Sequence, residues 1–432
     1  MNPTPPPPPA TISIQSAPNA PATGDAALLH QQPAHYLRPG LLQLQALPPL
    51  SLYIHIPWCL KKCPYCDFNS HAAQPLESNS GSADTSASSV PEDRYIAALL
   101  ADLEAALPLI WGRPVYSIFM GGGTPSLFSP QAIARLLSAV RARLPLLPEC
   151  EITLEANPGT FERERFAAYA QAGVTRLSVG VQSFDDAALH ALGRIHTAEQ
   201  ASAALSEAAR TFSTFNLDLM YALPAQTLAG LQHDLTQALA FAPPHLSIYQ
   251  LTIEPNTFFA KYPPPHLPDD DLAYTMLDAI TAQPATCGLQ RYEVSAYARS
   301  GHHCRHNRNY WEFGDYLGIG AGAHSKLSFP HRIVRQVRLR EPQRYMQQAL
   351  AQAHEVPRAD LAFEYMLGAL RLRAGFALAD FCSRTGLSAN AIERPLQQAQ
   401  ERGWLHSDLH NVWPSEHGFD FLSDLQALFL PD

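Results

Sequence analysis

The sequence predicts an α/β fold: a partial (β/α)6 barrel of the TIM type, followed by a helical, winged-helix-like domain. Three observations predict it. Six short β-branched or alternating runs, each ending in Gly, Pro, Asn or an acid, are separated by helical stretches. Polar residues recur at the C-terminal ends of five successive runs, where a barrel gathers its functional groups; an open sheet would concentrate them at one switch point. After residue 355 the strand–helix alternation gives way to a helical pattern with one hairpin.

Residues 1–48 are rich in Pro, Ala and Gln with almost no charge, a composition that cannot bury enough surface to offset its ordering entropy, so a flexible tail is expected. The barrel is expected over 49–355. Its strands are "SLYIHI" (51–56), "SIFMGGG" (117–123), "EITLEAN" (151–157), "RLSVGVQS" (176–183), "FNLDLMYAL" (215–223) and "HLSIYQLTIE" (245–254). Helices at 92–107, 130–143, 162–172, 198–210 and 229–240 carry apolar residues at three- and four-residue spacing. Strand then helix, repeated, implies parallel strands with right-handed crossovers. The low-complexity run 78–93 reads as a flexible insertion. Residues 356–432 offer three helices, a β-wing and a last helix. That module holds six Arg against ten acids, a net charge of -4, and lacks the basic footprint that phosphate contacts require. A lid or docking domain is expected, not a nucleic-acid binder.

The whole chain, at -9, has no general pull towards nucleic acid or anionic lipid. No stretch reaches the roughly eighteen apolar residues of a membrane span. The N-terminus has neither a basic leader nor an apolar core, so no secretory signal is read. Seven cysteines, most of them isolated, do not form a disulfide framework, and a reducing, cytoplasmic compartment is expected.

Three of those cysteines, Cys59, Cys63 and Cys66, fall within one turn-rich loop after the first strand. Structural zinc takes four closed ligands, so a zinc site would need His55 or His71 as the fourth. A cubane iron–sulfur cluster can be held by three thiolates with one iron left open. "GGGTP" (121–125) lacks the spacing and lysine of a P-loop; its glycines suit a tight turn or close approach to a ligand.

The C-x3-C-x2-C spacing, placed after strand one of such a pattern, resembles the signature of the radical S-adenosylmethionine (SAM) superfamily. That resemblance implies a 4Fe-4S cluster on Cys59, Cys63 and Cys66, with SAM chelated at the open iron. From about residue 48 onward, "LYIHIPWC", "CPYCDF", "GGGTPSL", "EANPGT", "GVQSF", "LGRIH", "NLDLMYALP" and "YQLTIEPNT" are similar to the oxygen-independent coproporphyrinogen III oxidase family, and most of all to its heme-chaperone members. Carried over residue by residue, Tyr53 lines a SAM site and Tyr65 packs against the cofactor. Gly122, Gly123 and Thr124 match the motif that receives the SAM amino group, and Glu155 matches an acid that holds SAM. Gln182, Arg194 and Asp218 match residues that bind a second SAM in the oxidase. Each also has a structural reading, in satisfying rim backbone groups or pairing with an acid.

Two features divide chaperone from oxidase. The oxidases resembling this chain carry a fourth cysteine where Phe68 stands. The stretch His306-Asn307-Arg308-Asn309-Tyr310-Trp311 matches the H-N-x-x-Y-W motif of the heme-binding members, whose histidine is the proposed iron ligand. A neutral imidazole is an ordinary axial ligand, and Tyr310 and Trp311 offer flat surfaces to a porphyrin. Cys304 is a rival ligand, and His302, His303, Cys304 and His306 together could take up zinc. The reading implies a heme chaperone that passes heme to an acceptor protein, with the oxidase as the alternative. Contact with a membrane-bound acceptor is compatible with this, although no basic amphipathic stretch points to it.

Overall fold

The structure, a computed structural model, describes residues 33–73, 90–159 and 163–431. Most of the expected tail (1–32) and of the expected insertion (78–89) lie outside those residues. Six parallel strands, β1 (Leu50–Ile56), β2 (Val115–Gly122), β3 (Leu146–Ala156), β4 (Arg176–Gln182), β5 (Thr214–Tyr221) and β6 (His245–Gln250), alternate with five helices. These are α1 (Glu92–Ile110), α2 (Pro130–Arg141), α3 (Phe166–Ala172), α4 (Ala198–Thr211) and α5 (Leu228–Ala240). Local sequence starts them: Ser129 caps α2 ahead of Pro130, and Thr197 with Gln200 forms a capping box on α4. Such a cap contributes about 1 kcal/mol.

Strand alternation assigns the two faces. Leu52, Ile54, Ile118, Leu154, Leu177, Leu217 and Leu246 face the helices in the main core, each worth roughly 1.5–3 kcal/mol of burial. The opposite row is polar or aromatic and points into the barrel: Ser51 and Tyr53 on β1, Ser117 and Phe119 on β2, Glu155 on β3, Asn216 and Asp218 on β5. Hydrogen bonds tie this row across the strands, as between Ser51 and Ser117 at 2.8 Å. Sliding one strand by a residue would exchange the rows, so the pattern fixes the register.

Beyond β6 come helix α6 (Asp270–Ala285), β7 (Gln290–Arg291), β8 (Ala296–Ala298) and helix α7 (Arg305–Trp311). Four further strands, β9 (Asp315–Ile319), β10 (His324–Phe329), β11 (Arg332–Arg338) and β12 (Leu350–Glu355), follow. The twelve-stranded order is β12-β11-β10-β9-β1-β2-β3-β4-β5-β6-β8-β7. The barrel is therefore partial, with β9 parallel to β1 and antiparallel strands at both ends.

A second core gathers Leu361, Tyr365, Phe381, Ile392 and Val412. It is built from helices α8 (Leu361–Ala369), α9 (Leu378–Thr385) and α10 (Glu393–Glu401), and a small sheet of β13 (Phe376–Ala377), β14 (Leu405–Ser407) and β15 (Asn411–Pro414). No helix among the described residues is long and apolar enough to cross a membrane.

The end of the expected tail needs correction. Tyr36 stacks on Phe329 at 4.7 Å, and Leu42 and Leu44 are 3% and 8% exposed within the second core. The Arg332 guanidinium donates to the Arg38 and Pro39 carbonyls. Composition averaged over the segment hid a few well-spaced apolar side chains that find a complementary surface.

Candidate functional site

The cysteine loop leaves β1 at Pro57 and returns where His71 and Ala72 pair with Trp58 and Cys59, so its base is zipped shut. Each thiol has a polar neighbour from a different place. Thr124 Oγ1 donates to Cys59 Sγ at 3.4 Å, Arg194 Nη1 reaches Cys63 Sγ at 3.8 Å, and Ser70 Oγ lies 3.7 Å from Cys66 Sγ. Burial raises the Cys59 and Cys66 thiols, opposed by Thr124 and Ser70 respectively. Without metal these two stay protonated at neutral pH, and a metal held there would displace their protons.

These residues fit a cubane. All three thiols sit on one loop, partly exposed and unpaired. Among the described residues no three His, Cys, Asp or Glu side chains converge as a single-ion site, as mononuclear zinc would require. His55 is engaged at both ring nitrogens, with Tyr53 OH at 2.9 Å and the Asn69 carbonyl at 2.9 Å, and so is not a fourth ligand.

Sequence reasoning missed the anchor of this loop. The Asn69 amide donates to the carbonyls of Ala321 and Arg340 at 2.9 and 2.8 Å, pinning the loop's exit to the turn after β9 and to the segment after β11. Gly320 and Gly322 lie in the left-handed region there, where a Cβ would overlap the His55 backbone or the Asn69 side chain. The run "GIGAG" (318–322) was the available signal.

The "GGGT" turn closes over the loop. The Gly123 and Thr124 amides donate to the Ile56 and Trp58 carbonyls. A Cβ on Gly122, at φ +110°, would overlap the His55 ring, so close approach of chain to chain already demands glycine. The Gly122 amide donates to Glu155 Oε2 at 3.0 Å. Burial, and then the Asp218 carboxylate, push Glu155 up to about 7, with the Gly122 amide opposing. Asp218 is also raised by burial, against hydrogen bonds from Asn216 and Ser178.

Arg194 donates to Asn157 Oδ1 and the Gly180 carbonyl, both at 2.8 Å, while its buried Nε has no partner among the described residues. Gln182 ends β4 at φ +72°, a conformation few side chains adopt outside functional turns. Tyr65 rests on a satellite apolar cluster with Leu192, Met220 and Phe259. Tyr53, Glu155, Gln182, Arg194 and Asp218 thus share the interior and C-terminal rim of the barrel with the cysteine loop.

His306 lies at the other end. Helix α7 plugs the N-terminal mouth, making contacts to the starts of several strands. Asn309 Nδ2 donates to Ser51 Oγ, the Arg305 amide to Glu151, and Ser117 Oγ lies 3.3 Å from His306 Nδ1. The preceding turn adds the His302 carbonyl, accepting from Arg176, and His302 Nδ1 against Thr214 Oγ1. The rings beside His306 are Phe119 and Tyr53. Tyr310 instead packs against Tyr316, the ring planes tilted by 34°, and Trp311 lies under the Arg371 guanidinium. Neither Tyr310 nor Trp311, expected to offer flat surfaces to a porphyrin, is among the rings against the His306 imidazole. His302 and His303 also diverge from His306, His303 stacking on Tyr292 at 4.2 Å.

Comparison with known proteins agrees with this architecture. The Radical SAM superfamily model matches residues 53–238, and the HemN C-terminal domain model matches residues 356–421. Heme chaperone HemW of Escherichia coli is 47% identical over 390 residues, covering 89% of this chain and 99% of that protein. Heme chaperone HemW of Haemophilus influenzae is 46% identical over 393 residues with the same coverage. Among solved structures, coproporphyrinogen III oxidase (HemN) of Escherichia coli superposes with a TM-score of 0.73 at 23% identity, over 89% of this chain and 90% of that one, a likeness of fold. The chain belongs to the HemW family of radical SAM proteins.

Proposed function

We propose that this chain is a heme chaperone, which takes up heme and hands it to an acceptor protein in the cytoplasm. In this reading Cys59, Cys63 and Cys66 hold a 4Fe-4S cluster. Gly122, Gly123, Thr124 and Glu155 receive SAM at the open iron, with Tyr53, Tyr65, Gln182, Arg194 and Asp218 around it. When bound, cluster and SAM supply one-electron reductive chemistry. Glu155 and Asp218 supply negative charge for the SAM cation, and His306 supplies the heme ligand.

The observation that carries the reading is the state of His306. Burial alone pushes its imidazole down to about 3, so it is neutral. Its Nδ1 faces Ser117, while Nε2 has no hydrogen-bond partner among the described residues. A neutral imidazole with one free nitrogen between aromatic rings is equipped to bind iron. Phe68, standing where the oxidase has a further cysteine, is 64% exposed and offers no ligand. Anaerobic incubation of the reconstituted protein with coproporphyrinogen III and SAM tests the choice. The chaperone reading expects stoichiometric heme binding and no protoporphyrinogen; sustained protoporphyrinogen formation would overturn it.

A further inference from the structure

One chain of buried hydrogen bonds joins the cofactor end of the barrel to its plug. Asp218 Oδ1 accepts from Asn216 Nδ2 at 2.8 Å. Asn216 Oδ1 lies 2.7 Å from His245 Nδ1, His245 Nε2 lies 2.9 Å from Tyr292 OH, and that oxygen accepts from the Cys304 amide at 3.3 Å. Cys304 is the residue from which α7, and so His306, begins.

The direction of every bond can be deduced. A carboxylate only accepts, so Asn216 turns its NH2 to Asp218 and its carbonyl oxygen to His245. That oxygen also accepts from Ser247 Oγ at 3.0 Å. His245 Nδ1 must then carry the proton, leaving Nε2 to accept from Tyr292. The Tyr292 oxygen remains free to accept from Cys304. Every donor points towards Asp218, and such aligned chains polarise one another. Asn216 is 4% exposed, His245 2% and Tyr292 9%, so water offers the links little substitute.

We propose that Asn216, His245 and Tyr292 are positioning residues that make the closure of α7 depend on what Asp218 binds. Resting on the reading above, the inference is that SAM drawing on the Asp218 carboxylate weakens its hold on Asn216, loosens the Cys304 end of α7 and frees His306 for heme. His306 is only 9% exposed while α7 is closed, so release of the helix precedes ligation.

The test is hydrogen–deuterium exchange of peptides covering 300–312 in the cluster-loaded protein, with SAM binding followed by equilibrium dialysis and heme titrated in parallel. In wild type, SAM should speed exchange there several-fold and raise heme affinity. Tyr292→Phe removes one hydroxyl: exchange should be fast without SAM, and the ratio of heme affinities with and without SAM should fall to about one. His245→Gln, whose amide can both donate and accept, should keep the response. A merely structural role would lower heme affinity in both states and leave the ratio alone. Bound SAM with no effect on 300–312 in wild type, or a Tyr292→Phe protein with the wild-type ratio, overturns the inference. Protein that binds SAM but no heme refutes the chaperone reading, while the exchange data still decide the network. Failure to bind SAM overturns both the SAM site and the inference.

Discussion

The imidazole of His306 lies on the ring of Phe119, centroids 5.0 Å apart and planes inclined by 29°. That stacking shelters a nitrogen base where protonation is costly, and it gives the fold an acid sensitivity. The unfolded chain takes up a proton on this histidine near pH 6.5, whereas the folded chain does not until about 3. Stability from this residue is therefore present above pH 6.5 and lost as pH falls from there towards 3. His306→Phe should reduce the loss between pH 7.5 and 5.0 by up to about 2 kcal/mol, read from denaturant melts at both values. An unchanged loss would show that the imidazole titrates as if exposed.

Removing all three loop thiols separates cluster from fold. With Cys59, Cys63 and Cys66 replaced by Ala, anaerobic reconstitution should give no brown iron–sulfur absorbance, because too few thiolates remain for a cubane. Circular dichroism should stay that of wild type, since none of the three belongs to the hydrophobic cores. Retention of about four irons per chain would sink the ligand assignment.

Glu155 sets a pH dependence for SAM. Its carboxyl, pushed up to about 7, is increasingly neutral below that value, and a neutral acid attracts the SAM ammonium weakly. SAM affinity should fall as pH drops from 8 to 6, by about tenfold at most per unit below 7. For the cofactor-free protein, a raised folded value means stability present below about 4.5 and lost as pH rises through 7. Glu155→Gln should therefore be the more stable protein at pH 8, with the advantage gone at pH 4.5, and its SAM affinity should be level with pH. A wild-type SAM affinity independent of pH would remove Glu155 from the ammonium site.

The arm before β1 is structural. Leu44→Ala and Leu42→Ala should each cost about 2–5 kcal/mol, seen as lower melting temperatures. A change below about 0.5 kcal/mol in both would show that this arm does not hold the second core.

Much of this was legible because strand alternation is local. In "SLYIHI", Leu52 and Ile54 mark the helix-facing row while Tyr53 and His55 mark the interior, and the loop cysteines follow at once. The strands from β9 to β12 were not legible. Lys326 and Arg338 sit in them 1% and 2% exposed, looking like surface residues until Asp315 and Asp102 pair with them. Nor could spacing show that Asn69 reaches Ala321 and Arg340, or that Asp218 connects to Cys304 through Asn216, His245 and Tyr292. Those partners are far apart in sequence, and nothing local announces them.

The central claim is that His306 is the heme ligand of a heme chaperone, and a spectral titration of heme into wild type, His306→Ala and Cys304→Ala tests it most directly. The Cys304 thiol is pushed up to about 12, chiefly by burial, and is a poor ligand at neutral pH. The account predicts a shifted Soret band and at least tenfold weaker binding in His306→Ala, with Cys304→Ala like wild type; that factor corresponds to about 1.4 kcal/mol. Wild-type spectra and affinity in His306→Ala would contradict it, and a matching loss in Cys304→Ala alone would assign the iron to the thiolate.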